Sequence, residues 1–273
     1  MNSIFSFLNK KDVPSLMTEI QARPGGNLSL DEHFLKTPRE DVFFLFLEKV
    51  GCTTLKHLLI QTFWGDISSI NPEYYMDNWT ERNLIHAISF EALVINGREV
   101  LNRKNVKIIT FCRNPYDRFV SAYVDKIANT PKQETDFFKW IKREILFKKL
   151  RENFGNKKIV ESLLEISIAD FVEFVKHTPE EHRDKHWISQ HALNLADIIN
   201  ISEIIKLEDF NKKIPIVWKE LFGIEISMES DICDNKVRRN KKYLTEEVAN
   251  TIYEIYKKDF DLFGYEQDSW HGL

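Results

Sequence analysis

The chain has 273 residues, 38 of them basic and 42 acidic, for a net charge of −4. That length buries roughly three quarters of the unfolded surface and sits near the upper size of one domain, so the chain is read as a single domain over 1–273 with an amino-terminal extension over 1–40. The charge balance argues against a general binder of nucleic acid or of anionic membranes, while leaving room for a local basic cleft.

The amino end, Met1 to Leu8, is too short and too interrupted for a signal sequence, and Lys10 and Lys11 follow it rather than precede it. No segment reaches the eighteen or so apolar residues of a membrane span. The three cysteines, Cys52, Cys112 and Cys233, are odd in number and suit a reducing compartment better than a disulfide framework. A cytoplasmic location is therefore expected. Residues 11–22 predict a short helix closed by Arg23-Pro24-Gly25-Gly26.

Residues 42–47 are a nearly unbroken apolar run, as in a strand buried on both faces of a parallel sheet. The run leads into Glu48-Lys49-Val50-Gly51-Cys52-Thr53-Thr54-Leu55-Lys56. Gly51 permits a close backbone approach. Thr53 and Thr54 are hydroxyl donors and candidate helix caps. Lys49 places a cation before the turn, and Lys56 places another in the first helical turn. Leu55, Leu58, Leu59, Thr62 and Phe63 then recur at helical spacing. A strand–turn–helix of this kind presents backbone N–H groups and a positive helix end to an anion. The Gly-x4-Gly-Lys-Ser/Thr loop of ATP and GTP enzymes is absent. Taken alone, the segment is equally a βα turn that binds nothing.

Asn83 to Phe90 predicts a short strand leaving toward a helix, and it carries His86. Val106 to Cys112 predicts a strand, with Asn114 as a cap and Pro115 at the first helical position. Tyr116, Phe119, Val120 and Tyr123 give that helix an apolar face. Arg113 stands at the strand end, where α/β sheets place their ligands. Arg113 and Ser121 can hold a phosphate through a forked guanidinium and a hydroxyl; the alternative is that Arg113 pairs with a carboxylate such as Asp117. The alternation from 42 to about 130 predicts an α/β fold, a parallel sheet with crossover helices.

Residues 132–165 are rich in lysine and glutamate, with Phe137, Trp140, Ile141, Ile145 and Leu146 at helical spacing. They read as an inserted helical pair with a solvated, charged surface. A helix is expected over Ile168 to Val175, a late strand over Glu203 to Leu207, a helix from Asp209, and a final helix after Thr245. The run Lys236 to Lys242 reads most simply as a solvated basic loop. His182, His186 and His191, at spacings of four and five, lack a companion cysteine or acid pattern, so no metal site is expected.

The pattern Lys49-Val50-Gly51-Cys52-Thr53-Thr54-x-Lys56, followed by Arg113-Asn114-Pro115-x-x-Arg118-x-x-Ser121-Ala122-Tyr123, resembles the sulfotransferases, in particular the carbohydrate sulfotransferase branch. The chain looks more like its soluble bacterial members than the membrane-anchored animal ones. The likeness covers roughly residues 40–266. Asp184 to Gln190 is similar to the family's His-Trp-x-Pro-Gln segment, with Ser189 in place of Pro, and Ile252 to Tyr265 is similar to its last helix.

The resemblance implies a P-loop-like parallel β-sheet flanked by helices, with helical insertions. It implies 3′-phosphoadenylyl sulfate (PAPS) as donor and 3′-phosphoadenosine 5′-phosphate (PAP) as product. Lys49, Val50, Gly51, Cys52, Thr53 and Thr54 would meet the phosphosulfate, and Arg113 and Ser121 the 3′-phosphate. Glu48 stands where the family has Pro, and an acid beside an anion site is unexpected unless it points away. The basic loop is similar to one that closes over the nucleotide in this family, which gives Arg238, Arg239 and Lys241 as contacts to the 3′-phosphate or to an anionic acceptor.

Sulfuryl transfer needs in-line geometry and charge stabilisation, a base near neutral pKa for the acceptor hydroxyl, and a cation at the leaving oxygen. Lys49 suits the cation, with Lys56 second. His86 is the first candidate for the base, because its segment resembles the His-x-x-x-Phe segment of uronyl 2-O-sulfotransferases; His186 comes next and Glu91 after it. Cys52 and Cys112 read as small packing residues. The expected protein is an enzyme, a sulfotransferase acting on a carbohydrate hydroxyl without a metal. The alternatives are a nucleotide kinase-like enzyme and a non-catalytic relative that binds PAP or a glycan.

Overall fold

The computed structural model describes residues 12–65, 81–129, 136–153, 165–228 and 241–272. The chain divides into two compact units, Met1–Arg113 with Ile188–Asn235 and Asn114–Trp187 with Lys236–Leu273. In chain order the described helices are α1 (Val13–Gln21), α2 (Gly26–Glu32), α3 (Cys52–Phe63), α4 (Glu81–Ala92), α5 (Gly97–Asn102), α6 (Pro115–Tyr123), α7 (Asp136–Glu152), α8 (Ile168–His177), α9 (Gln190–Asn194), α10 (Phe210–Phe222) and α11 (Glu246–Phe263).

The first unit holds a five-stranded sheet of β1 (Phe34–Lys36), β2 (Val42–Leu45), β3 (Val94–Ile95), β4 (Lys107–Cys112) and β5 (Glu203–Lys206), in the order β3-β1-β2-β4-β5. Strands β2, β4 and β5 are parallel, with Phe44 opposite Ile109 and Thr110 opposite Ile204. β1 runs antiparallel to both β2 and β3. The sheet is therefore mixed, which corrects the all-parallel expectation. The cause is local: only residues 37–41 join β1 to β2, too few for a crossover. Thr37 Oγ1 tightens that turn by donating to the Val42 carbonyl at 3.1 Å. β2 is buried at every position, as its unbroken apolar run requires. The core around it stacks Phe44 on Phe111 and on Trp218, with ring centroids 6.1 and 5.4 Å apart.

The segment expected as a strand at 83–90 lies inside α4. Leu84, Ile85 and Ile88 recur at helical spacing, Leu84 and Ile85 are buried, and Ser89 returns its hydroxyl to the Ile85 carbonyl at 2.6 Å. A short apolar run is ambiguous between the two periods, and packing of α4 along α3 settles it as a helix.

The second unit is helical, with a separate core that includes Phe119, Phe171, Trp187, Ile252 and Phe260. Asn114 caps α6 by accepting from the Tyr116 N–H at 3.0 Å, and Pro115 opens the helix, as read from the sequence. The helix runs on into a π-helical turn over Val124–Ala128. Ser167 and Asp170 form a capping box at the start of α8, and Thr245 caps α11 through the Val248 N–H. Tyr256 is buried in α11 and donates its hydroxyl to the Trp187 carbonyl; burial pushes its pKa well up, so it stays protonated. Among the described residues no helix is long and apolar enough to cross a membrane.

Candidate functional site

The turn between β2 and α3 is built from two residues in the left-handed region, Lys49 at φ 68° and Gly51 at φ 82°. The positive φ favours glycine at 51, and a Cβ there would lie 2.7 Å from Leu207 Cδ1, so that leucine tip would have to shift. Gly51 is also the N-cap of α3: its carbonyl accepts from the Leu55 N–H at 3.0 Å, and it offers no side chain to the helix. The N–H groups of Cys52, Thr53 and Thr54 therefore precede the helical ladder, at the positive end of the helix dipole. Thr53 and Thr54 occupy the first helical turn and are not its caps, a correction to the sequence reading. The Thr53 hydroxyl meets His86 instead, Oγ1 to Nε2 at 3.2 Å.

Lys56 lies on the same turn but points inward and is only 6% exposed. Two contacts make that burial tolerable. Its ammonium lies 4.0 Å from the centroid of the Phe46 ring and 3.5 Å from His86 Nδ1. An ammonium has only donors, so Nδ1 accepts from it, and the proton of the neutral imidazole sits on Nε2, donated to Thr53. With that tautomer assigned, the histidine singled out as the base presents Nδ1 as its acceptor nitrogen.

Glu48, the residue in the family's Pro position, is turned onto a histidine. His33, fully buried at the end of α2, places Nε2 3.3 Å from Oε1 and 3.2 Å from Oε2 of the carboxylate. The same imidazole meets the Phe46 ring edge-on at 5.0 Å.

Arg113 closes the site from β4. Its peptide is bracketed by the side-chain amide of Gln190, which accepts from the Arg113 N–H and donates to the Arg113 carbonyl, both at 2.9 Å. Its guanidinium donates through Nη1 to the carbonyl of Lys49 at 3.1 Å. The parallel pairing of β2 with β4 brings these two strand ends side by side.

The structure thus gathers Lys49, Gly51, Cys52, Thr53, Thr54, Lys56, His86 and Arg113 in the first unit. Val50 is there too, but its side chain is buried in the core, so only its backbone faces the turn. Ser121 is half-buried on α6 in the second unit. His186 is also in the second unit, with Nδ1 against Asp184 Oδ1 and its N–H donated to the same oxygen at 2.9 Å. Glu91 is exposed on α4. Arg238, Arg239 and Cys233 lie outside the described residues, and Lys241 is described only through its backbone. Cys112 is buried in β4 and Cys52 is half-buried. Among the described residues no group of His, Cys, Asp and Glu is placed to hold a metal ion.

Two residues of the site escaped sequence reasoning, and a third, Gln190, stood out only as part of a segment similar to the family's, with no role. Gln190 stands 77 positions from the peptide it brackets, and no local pattern links the two. His33 lies in the stretch taken as an extension, and Phe46 is hidden inside an apolar run. Only an unexplained acid, Glu48, signalled that a partner was needed.

The arrangement is that of an anion cradle. Its groups are helix-start N–H donors, hydroxyls and cations, and the carboxylate of Glu48 beside the turn is engaged by His33. The sulfotransferase family profile matches residues 32–266 of this chain. Carbohydrate sulfotransferase 10 of Xenopus laevis is 25% identical to it over 259 residues, which cover 88% of this chain and 69% of that protein. Carbohydrate sulfotransferase 11 of Rattus norvegicus is 24% identical over 245 residues, covering 86% and 67%. Carbohydrate sulfotransferase 10 of Homo sapiens is 25% identical over 264 residues, covering 89% and 69%. The chain therefore spans about two thirds of the length of these relatives. No solved structure matches it significantly.

Proposed function

Because the chain belongs to the sulfotransferase family, we propose that it moves a sulfuryl group from PAPS to a hydroxyl of a carbohydrate, releasing PAP. The acceptor class is supported by the relatives, which are carbohydrate sulfotransferases. The observation that carries the mechanism is the contact of His86 with both Thr53 and Lys56 at the start of α3.

The residues fit the donor. Its phosphosulfate is an anion, and the groups at the turn are donors or cations, with Gly51 allowing the backbone to come close. Lys49 supplies positive charge to the oxygen that leaves with the phosphate. Lys56 turns its ammonium from His86 toward the incoming anion. The Nδ1 lone pair of His86 then takes the acceptor's hydroxyl proton as the new O–S bond forms. The old S–O bond breaks, and its electron pair leaves on the phosphate of PAP. Arg113, held rigid by Gln190 and tied to the Lys49 carbonyl, is the candidate for the 3′-phosphate.

Calorimetric titration with PAP, with ATP and ADP as controls, tests the donor. Wild type should prefer PAP, Arg113→Ala should lose that preference, and His86→Ala should bind PAP normally while losing transfer by about a hundredfold or more. Equal binding of ATP and PAP would refute the donor assignment. Unimpaired transfer by His86→Ala would remove this residue from the mechanism.

A further inference from the structure

Helix α7 has two apolar faces, and among the described residues only one of them is buried in the core. Phe138, Ile141 and Ile145 are buried in the core of the second unit. On the remaining surface, Phe137, Trp140, Phe147 and Leu150 are 42, 45, 44 and 42% exposed. The other large apolar side chains exposed among the described residues, Trp64, Phe90 and Ile216, stand singly on separate elements. Scattered exposure needs no explanation, whereas clustering along one helix marks a contact surface.

Charge says what the surface contacts. Lys139, Arg143, Lys148 and Arg151 are exposed among the four apolar side chains, while the acids are Asp136 and Glu152, exposed at the two ends, and the half-buried Glu144 between them, so cations outnumber acids on this face. Two of the cations make exposed pairs with those acids, Lys139 with Asp136 at 3.1 Å and Lys148 with Glu152 at 3.9 Å, contacts that exchange at little cost. Arg143 lies 6.0 Å over the Phe147 ring, and the Phe137 and Trp140 rings stack at 6.1 Å. The whole chain carries −4, so this positive stripe is local.

We propose that this face of α7 docks on an anionic lipid surface. From Phe137 to Leu150 the ridge is about 20 Å long. Its rings and Leu150 would enter the boundary between headgroups and acyl chains, and the cations would reach back along their stems to the lipid phosphates. A second copy of the chain suits the face less well, because an antiparallel two-fold contact that paired Trp140 with Phe147 would bring Lys139 opposite Lys148. A protein partner is met by an apolar centre with a polar rim, whereas here cations and rings alternate along the ridge.

Co-sedimentation of the full chain with vesicles tests the proposal, using phosphatidylcholine alone and a mixture with phosphatidylserine. The wild type should bind the mixed vesicles, bind the neutral ones weakly, and be released by high salt. Trp140→Glu/Phe147→Glu should weaken binding by about tenfold or more. Lys139→Gln/Arg143→Gln should weaken it by about fivefold per cation removed. Circular dichroism checks that each variant is folded, and should the glutamate variant unfold, the glutamine variant carries the test. The proposal is overturned if the wild type ignores the anionic vesicles, or if both folded variants bind as it does. It is equally overturned if the wild type is a dimer that Trp140→Glu/Phe147→Glu converts to monomer, since the face would then be a protein interface.

Discussion

Glu48 places a carboxylate one residue before the lysine proposed to stabilise a leaving phosphate. Such a charge would oppose the donor unless something held it elsewhere, and His33 holds it. The cost of losing the contact falls on both stability and function. His33→Leu leaves Glu48, only 8% exposed, without that imidazole, and should lower stability by about 1–3 kcal/mol in chemical denaturation. It should also raise the KM for donor more than it lowers kcat, because the turn rather than the base is disturbed. Replacing both partners by apolar residues, His33→Leu/Glu48→Leu, should recover part of the loss, since a buried polar pair is often replaceable as a pair but not singly. Strict additivity of the two single changes would show that the pair does not hold the turn. At this scale the sequence displayed the turn's chemistry but not its support. Lys49, Gly51 and Arg113 stand in short local patterns, whereas His33, Phe46 and Gln190 act on residues that only the fold brings near.

Helices and strands were legible in proportion to how local their causes are. The cap at Asn114 with Pro115, the helix start after Thr245 and the buried run of β2 are written within a few residues and stand where expected. β1 was missed because three residues, Phe34-Leu35-Lys36, carry no period, and only pairing with β2 and β3 makes them a strand. The capping box of α8 shows how an element end is reinforced across the fold. Asp170 accepts from Ser167 N–H and Oγ at 2.8 and 2.7 Å, and from Lys149 of α7 at 2.9 Å. Burial pushes its carboxyl up, but the hydrogen bonds from Lys149 and Ser167 outweigh it, and the net shift is downward. A depressed carboxyl stabilises the fold above its unfolded pKa, and that contribution is lost as pH falls through the folded value. Asp170→Asn should therefore cost about 1 kcal/mol at neutral pH, and the gap to wild type should close as the pH drops below about 4. Denaturation curves across that range decide it, and a gap that persists at low pH would assign the loss to packing instead of charge.

Each unit has its own apolar core, one around the sheet and one around α6, α8 and α11. The boundary at Arg113–Asn114 falls within a single short sequence motif. Arg113 is anchored by Gln190, and Asn114 donates its side-chain amide to Ser269 Oγ at 2.9 Å while capping α6. Length and composition carry no trace of that division, because it arises from which apolar side chains meet after folding. The two proposed contacts also fall in different units, the donor cradle in the first and the lipid-facing helix in the second. Hydrogen exchange can therefore read them separately. Amides that exchange only when the ligand is released should slow by about a hundredfold in PAP at a hundred times its dissociation constant. Residues 49–54, whose N–H groups line the turn, are where this should appear. The amides of α7 between Phe137 and Leu150 should instead respond to anionic vesicles. Protection by PAP that spares residues 49–54 would place the nucleotide elsewhere and sink the cradle assignment, whatever the transfer assays showed.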